Sequence, residues 1–324
     1  MFRKYLFMTP LLILLLAACG SANTGAPTEV SAPVPPEFPA TEASIAEEIT
    51  FTDALGNKVV LTNSAQRIVS LAPSITEILF EIGAGGQVVG RTDYCNYPAE
   101  VLSLPSIGGF SAESISLESI IALEPDLVIG GSIYQAEIIK ALQEAGIPAF
   151  VSQPASLAEI KDSLSLFGQI TGRADEAAAV ADEMQARIDA VTQAVSSVPA
   201  DQRPAVFYEV WHEPLMSANG KTVVGELIEL AGGVNIFAGL PDEYPTVSVE
   251  QIVEVDPKFI IGPSSHSDQL TTEMIGAREG WGDMYAVKNN AIYIVDGDIV
   301  SRYSPRIVIV LEQFAKILHP DLFK

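Results

Sequence analysis

Ser116–Gly130, SLESIIALEPDLVIG, is answered later in the chain by Ser248–Gly262, SVEQIVEVDPKFIIG. In each copy a serine precedes an aliphatic residue and a glutamate. An acid then stands before a proline, and an apolar run closes on Ile-Gly. Serine is a favoured helix N-cap because its hydroxyl accepts from amides that have no intrahelical partner. Gln251 completes a capping box in the second copy. The residue before a proline is pushed out of the helical region, so both helices must end ahead of Pro125 and Pro257. Each copy therefore reads as helix, stop and buried strand, and the duplication predicts two lobes on one plan.

The same alternation extends outward from both copies. Upstream, RIVSL (67–71) reads as a strand, and Ser74-Ile75-Thr76-Glu77 has capping-box spacing before an apolar helix that stops at Gly83. VVGRT (88–92), DLVIGG (126–131), a helix over Ala136–Ala145 and PAFVS (148–152) complete the first lobe. The second has AVFYEV (205–210), a helix over Lys221–Ala231, KFIIG (258–262), AIYIV (291–295) and a closing helix over Ile307–Leu318. Strands separated by helices imply parallel sheets with helical crossovers. Ahead of both lobes, ITFTDALGNKVVL (49–61) predicts a hairpin around Gly56-Asn57.

Leu157 to Val198 has no strand-like run. Arg173–Ser197 lacks Pro and Gly and predicts one long helix of roughly 37 Å. Its apolar positions hold no sustained heptad, so it reads as a strut between lobes and not as a coiled coil. The predicted fold class is α/β: two Rossmann-like lobes with parallel sheets, joined by one long helix, with a ligand cleft between them. The expected segments are 1–18, 19–47, 48–156, 157–198 and 199–324.

Residues 1–18 read as a signal peptide: Arg3 and Lys4, then an apolar Leu11–Leu16 too short to span a bilayer. Leu16-Ala17-Ala18-Cys19 resembles a lipobox, which makes Cys19 the expected lipidation site. The alternative, a secretory leader with an incidental cysteine, also places the protein outside the cytoplasm. Residues 20–47, rich in Ala, Pro, Thr and Ser, read as a disordered tether.

The chain has 324 residues, 48% of them hydrophobic, two cysteines and a net charge of −23. That composition is enough for two cores. The charge argues against nucleic acid and against electrostatic adhesion to anionic lipid, leaving the acyl anchor as the membrane contact. With Cys19 lipidated, Cys95 has no partner for a disulfide. His212, His266 and His319 lack metal-ligand spacing. No G-x-S-x-G, P-loop or G-x-G-x-x-G occurs, so an extracellular hydrolase has no recognisable nucleophile and base. The expectation is a binding protein, not an enzyme, with no resident cofactor or metal.

Glu118 and Glu250 fall at the same place in the two copies, in the first turn of a helix. Either alone is explained by the helix dipole, which favours an acid there. As a pair, they also suit a partner with two equivalent basic sites.

RIVSLAPSITEILFEIGAGGQVVG, TDYCNYP, SLESIIALEPDLVIG, AGGVNIF, VSVEQI and SRYSPRI together resemble the helical-backbone class of substrate-binding proteins. These serve ABC importers for cobalamin, iron–siderophores and haem. VVGRTDYCNYP and the SPRI segment are most similar to the cobalamin-binding members. The resemblance implies a monomer that captures a corrinoid, or alternatively a ferric siderophore or haem, and delivers it to a permease dimer. It implies that Glu118 and Glu250 dock onto permease arginines.

In such a fold ligand-contacting residues stand on loops after strands. The candidates are Tyr94, Phe110 and Tyr134 in the first lobe, and Trp211, Tyr244, Asp298, Arg302 and Tyr303 in the second. Asp298 and Arg302 align with a polar pair of the cobalamin binders. Phe110 stands near a position where those carry tryptophan. Arg91 is a further candidate cation, and Tyr94 and His212 are candidate axial ligands for haem. For each, the alternative is packing beneath a loop. Tyr97 and Trp281 read as structural.

Overall fold

The computed structural model describes residues 48–264 and 270–323. The leader, Cys19, the tether and His266 lie outside the described residues. The hairpin pairs β1 (Ile49–Thr52) antiparallel to β2 (Lys58–Leu61). Its turn passes through Gly56 at φ 81°, a conformation glycine adopts without penalty. Asp53 accepts hydrogen bonds from the Leu55 and Asn57 amides at 3.0 and 2.8 Å.

The first lobe's sheet has β3 (Ile68–Ser70), β4 (Val88–Arg91), β5 (Leu127–Gly130) and β6 (Ala149–Val151), all parallel, in the order β4-β3-β5-β6. Crossovers include α1 (Pro73–Glu81), α2 (Leu117–Ala122) and α3 (Ala136–Glu144). Two helices follow: α4 (Leu157–Thr171) and α5 (Ala174–Val195). The second lobe begins with β7 (Ala205–Tyr208), a short hairpin of β8 (Trp211–His212) and β9 (Leu215–Met216), and α6 (Val223–Leu230). Then come β10 (Val234–Asn235), α7 (Val249–Val255), β11 (Phe259–Pro263), α8 (Thr272–Gly276), α9 (Tyr285–Lys288), β12 (Ile292–Val295), α10 (Gly297–Ser301) and α11 (Ile307–Leu318). Its parallel sheet runs β10-β7-β11-β12.

The two sheets thus share one topology. In each, the second strand of the lobe lies outside the first, and the third and fourth follow on the other side. The repeat read in the sequence supplies the third strand of each, β5 and β11. It extends to backbone detail: Glu124 and Asp256, the residues before the two prolines, both have positive φ, 47° and 49°. Ser116 accepts from the Ser119 amide and Ser248 from the Gln251 amide, so both serines cap as expected.

Alternate residues of the central strands enter different cores. Ile68, Leu127 and Ile129 face a large cluster that also contains Val206, Tyr208 and Ile261 of the second sheet. Val69 and Val128 face a smaller cluster under α3, whereas Phe207 and Ile260 face one around Trp281. Burial on both faces explains why these strands read as unbroken apolar runs. The large cluster is continuous across both lobes through α1, α4, α5, α6 and α11. At 22 residues, α5 extends about 33 Å. Arg187 on α5 reaches Glu312 on α11 through two hydrogen bonds of 2.8 and 3.0 Å, which hold the Glu312 carboxyl below its ordinary range.

Three readings change. β10 and the β8–β9 hairpin were not expected, because two-residue strands are too short to show a period. The helices α8, α9 and α10 are likewise too short to show 3.6-residue periodicity. The capping box at Ser74–Glu77 does not form. Pro73, whose ring fixes a helical φ, takes the first helical position, Ala72 is the N-cap, and no side chain caps this end. Glu77 is instead buried inside α1, with its carboxylate turned to the second lobe.

Candidate ligand-binding cleft

In a parallel α/β sheet the strands' carboxyl ends point one way, and the crevice opens where the strand order reverses. Both lobes offer such a switch point, between β3 and β5 and between β7 and β11. The segments leaving these strands line a single cleft of about 660 Å³. From the first lobe come Ala72 to Ser74 after β3, Tyr94 after β4, Phe110, Gly131 and Ser132 after β5, and Gln153 and Pro154 after β6. From the second come Tyr208 and Val210 at the end of β7, Tyr244, Pro263 closing β11, and Val300 to Tyr303 after β12. The volume lies within the usual range for small-molecule pockets, about 300–1,000 Å³.

The first lobe's wall is stitched by buried amides. Gln135, fully buried, donates to the carbonyls of Leu71 and Phe110 at 2.8 and 3.0 Å and accepts from the Gly131 amide at 2.9 Å. One side chain thereby ties the exits of β3 and β5 to the segment that carries Phe110. Gly131 is required by proximity: a Cβ there would lie 2.3 Å from Ala72 Cβ. Gln153 accepts from the Ile133 amide at 2.7 Å.

The second lobe's wall is phenolic. The Tyr244 and Tyr303 hydroxyls are 3.0 Å apart, and Tyr208 is buried beside them. Burial, and next the neighbouring Tyr244, push the Tyr208 and Tyr303 phenols above their ordinary range. Both stay neutral at any physiological pH and serve as hydrogen-bonding groups, not as anions.

Arg302 lines the cleft but is not offered to it. Nη1 donates to Glu77 Oε1 at 3.1 Å and to Asn96 Oδ1 at 2.6 Å. Nη2 donates to the Tyr94 carbonyl at 3.3 Å and pairs with Asp298 at 2.8 Å. Arg306 Nη1 reaches the same Glu77 oxygen at 2.9 Å, and Ser304 Oγ donates to Oε2 at 2.6 Å. Glu77 and Arg302 are almost fully buried. The SRYSPRI segment of the second lobe thus grips one carboxylate of the first, and the same guanidinium holds the Tyr94 loop.

The expected site residues separate accordingly. Tyr94, Phe110, Tyr244, Tyr303 and Arg302 come together in the cleft. Tyr134, Trp211 and Asp298 are not in its lining. Tyr134, 76% exposed, stands on the turn beyond Ser132. The Trp211 indole donates to the Glu213 carbonyl at 2.9 Å and its ring lies 5.0 Å from His212. Asp298 is engaged with Arg302 and with Asn96, whose amide donates at 3.1 Å. His212 and Arg91 are likewise absent from the lining, and Arg91 donates from Nε and Nη1 to the Val101 and Thr92 carbonyls. Tyr97 lies outside the lining with the Arg306 guanidinium 3.7 Å above its ring, and Trp281 is fully buried. Tyr208, Gln135 and Gln153 were missed. Tyr208 sat inside an apparent strand core, and amides carry no sequence signal of the loops they will bridge.

Cys95 is next to Tyr94 but fully buried, with Thr76 donating to its sulfur at 3.1 Å and Thr92 Oγ1 at 3.2 Å. An enclosed thiol of this kind is inert. Under native conditions Cys95 will not react with Ellman's reagent, and it will react fully in denaturant; rapid native labelling would contradict this burial.

A model of the periplasmic binding protein family matches residues 68–299, from the first strand of the first sheet into α10. The chain belongs to that family. This binding protein is 29% identical over 316 residues to an uncharacterized ABC transporter substrate-binding lipoprotein, YvrC, of Bacillus subtilis, covering 96% of both chains. Among solved structures, it is similar to the periplasmic vitamin B12 binding protein of Vibrio cholerae, with 27% identity, a TM-score of 0.67, and coverage of 80% of this chain and 99% of the other. The periplasmic heme-binding protein RhuT of Roseiflexus sp. RS-1 is as near in fold, with 25% identity, a TM-score of 0.69, and coverage of 80% and 100%. The two-lobed architecture with parallel sheets matches the solved relatives, and the family is one of solute-binding proteins.

Proposed function

We propose that this protein is the lipid-anchored extracytoplasmic receptor of an ABC importer, and that its cargo is a cobalamin or related corrinoid. The observation that carries the cargo assignment is the character of the cleft. Tyr94 and Phe110 from one lobe and Tyr244 from the other present rings that remain 49%, 38% and 40% exposed. The neutral phenols of Tyr208 and Tyr303 lie beside Tyr244, and the one lining arginine among the described residues has both terminal nitrogens engaged by protein acceptors. Broad apolar faces with neutral polar tips suit a flat macrocycle fringed by amides. An anionic ferric siderophore calls instead for presented cations. The vitamin B12-binding relative supports the same reading.

Haem is the second reading. Tyr94 in the cleft favours it, since a tyrosine can serve as an axial ligand to iron. With His212 outside the lining, haem would depend on tyrosine.

Titration of the mature protein with cyanocobalamin, haem and a ferric hydroxamate tests these readings. Fluorescence reports chiefly on Trp211, the exposed tryptophan, against fully buried Trp281. We expect a corrinoid Kd below about 10 μM, a binding free energy more favourable than about −7 kcal/mol. Tyr94→Ala and Phe110→Ala should each weaken it by about tenfold or more. Absence of corrinoid binding alongside tight haem binding with a tyrosinate absorption signature would reassign the cargo.

Delivery requires a docking face. Glu118 and Glu250 are exposed, second residues of α2 and α7, and precede equivalent strands of the two sheets. Glu250 is held below the ordinary carboxylate range by its own backbone amide and then by the Ser248 hydroxyl, so it stays ionised. The pair supports docking onto two equivalent cations of a permease dimer. Cys19 and the tether would keep the receptor close to that partner.

A further inference from the structure

The offset that carries Glu118 onto Glu250 also carries Ile121 onto Val253. Both are exposed, by 44% and 39%, and both lie one turn beyond their glutamate. Residues three apart on a helix share a face. The inward face of each helix is already satisfied, by fully buried Ile120 and Ile252 in separate cores. A single exposed aliphatic residue is ordinary on a protein surface. Its recurrence at the same register in both lobes is not, because the other exposed positions of the two helices differ: Ser119 corresponds to Gln251, and Ala122 to Glu254. Among the exposed positions, an acid and an aliphatic side chain on one face are kept in both copies while the others change.

We infer that Ile121 and Val253 are twin apolar anchors of the permease-docking face, each entering an aliphatic pocket beside the cation that receives its glutamate. This rests on the docking reading above. The occupant is a partner presenting two copies of one site, a small apolar hollow rimmed by Lys or Arg, as a permease dimer does. The division of labour is physical. Exposed acids set the encounter rate and orientation, and desolvated aliphatic contacts set the residence time.

The test is binding of the full mature chain to its permease–ATPase complex in nanodiscs, at low and high salt. Ile121→Ser/Val253→Ser removes the anchors and leaves both glutamates. It should keep its melting temperature and cargo affinity, because neither residue is in a core. We expect its dissociation to be at least about tenfold faster at both salt concentrations, with association nearly unchanged. Glu118→Lys/Glu250→Lys should instead lower association, most at low salt. Unchanged dissociation in the serine variant, with binding lost in the lysine variant, would overturn the anchors and preserve the docking reading. Normal binding by both variants would overturn docking and anchors together. Wild-type self-association that the serine variant abolishes would assign this face to a second copy of the chain, and would also overturn the proposal.

Discussion

Glu77→Gln is expected to destabilise this protein by about 3–5 kcal/mol, the range for removing one partner of a buried ion pair. For a chain of this size that corresponds to a fall in Tm on the order of 10 °C. The reason lies in the accounting of charge. One Glu77 oxygen receives both Arg302 and Arg306, and the other receives Ser304. The amide retains the shape and can still accept, but it leaves two guanidinium groups facing a neutral side chain. Arg302 keeps Asp298 at 2.8 Å, and Arg306 keeps the Tyr97 ring and partial access to water, so the loss falls short of complete unfolding. Arg306→Lys should cost far less, since that side chain is only partly buried.

A second consequence separates Glu77 from an ordinary structural residue. Arg302 also holds the Tyr94 carbonyl and the Asn96 side chain. Loosening it frees the loop that supplies one aromatic wall of the cleft, so cargo affinity should fall although Glu77 touches no ligand. Urea denaturation followed by tryptophan fluorescence measures the first effect and cargo titration the second. A destabilisation below about 1 kcal/mol would mean that the two lobes are held by their shared core alone.

Charge reversal at both glutamates proposed for docking should abolish uptake and leave the cleft untouched. Glu118 and Glu250 lie on exposed faces of α2 and α7, and neither contributes to the cleft lining. In Glu118→Lys/Glu250→Lys, lysines would meet the cations proposed for the permease, and like charges at an interface strongly oppose association. Cargo affinity should remain within about twofold of wild type, a change of less than 0.5 kcal/mol. Single reversals should give intermediate, salt-sensitive uptake, because one of two equivalent contacts survives. Wild-type uptake by the double variant would remove the docking role from both positions.

The elements that were legible in the sequence are those whose cause is local. Ser116 and Ser248 cap because a hydroxyl two or three residues ahead of a free amide needs no tertiary help. β5 and β11 were visible as apolar runs because both faces of each sheet are buried. The length of α5 followed from uninterrupted helix-forming residues. The aromatic candidates Tyr94, Phe110 and Tyr244 could be named because parallel strands send their following loops to one end.

Glu77 shows where such reading stops. Its spacing from Ser74 fits a capping box, yet Pro73 already sets the helix start, and the carboxylate's partners lie more than two hundred residues away. A hint was present: an acid between Ile75 and Ile78 in the middle of α1, and two arginines four residues apart in a chain with only 18 Lys and Arg. Arg302 shows the same limit from the other side of the cleft, whose lining it joins. The sequence pairs it only with Asp298, whereas four acceptors from two lobes engage its guanidinium. The sequence by itself determined the repeated helix–strand unit, the two lobes and the matched glutamates, all encoded in contacts between near neighbours. Only the tertiary structure decided which polar groups face cargo and which are spent holding the lobes together, because a buried charge takes its role from whatever the fold brings against it.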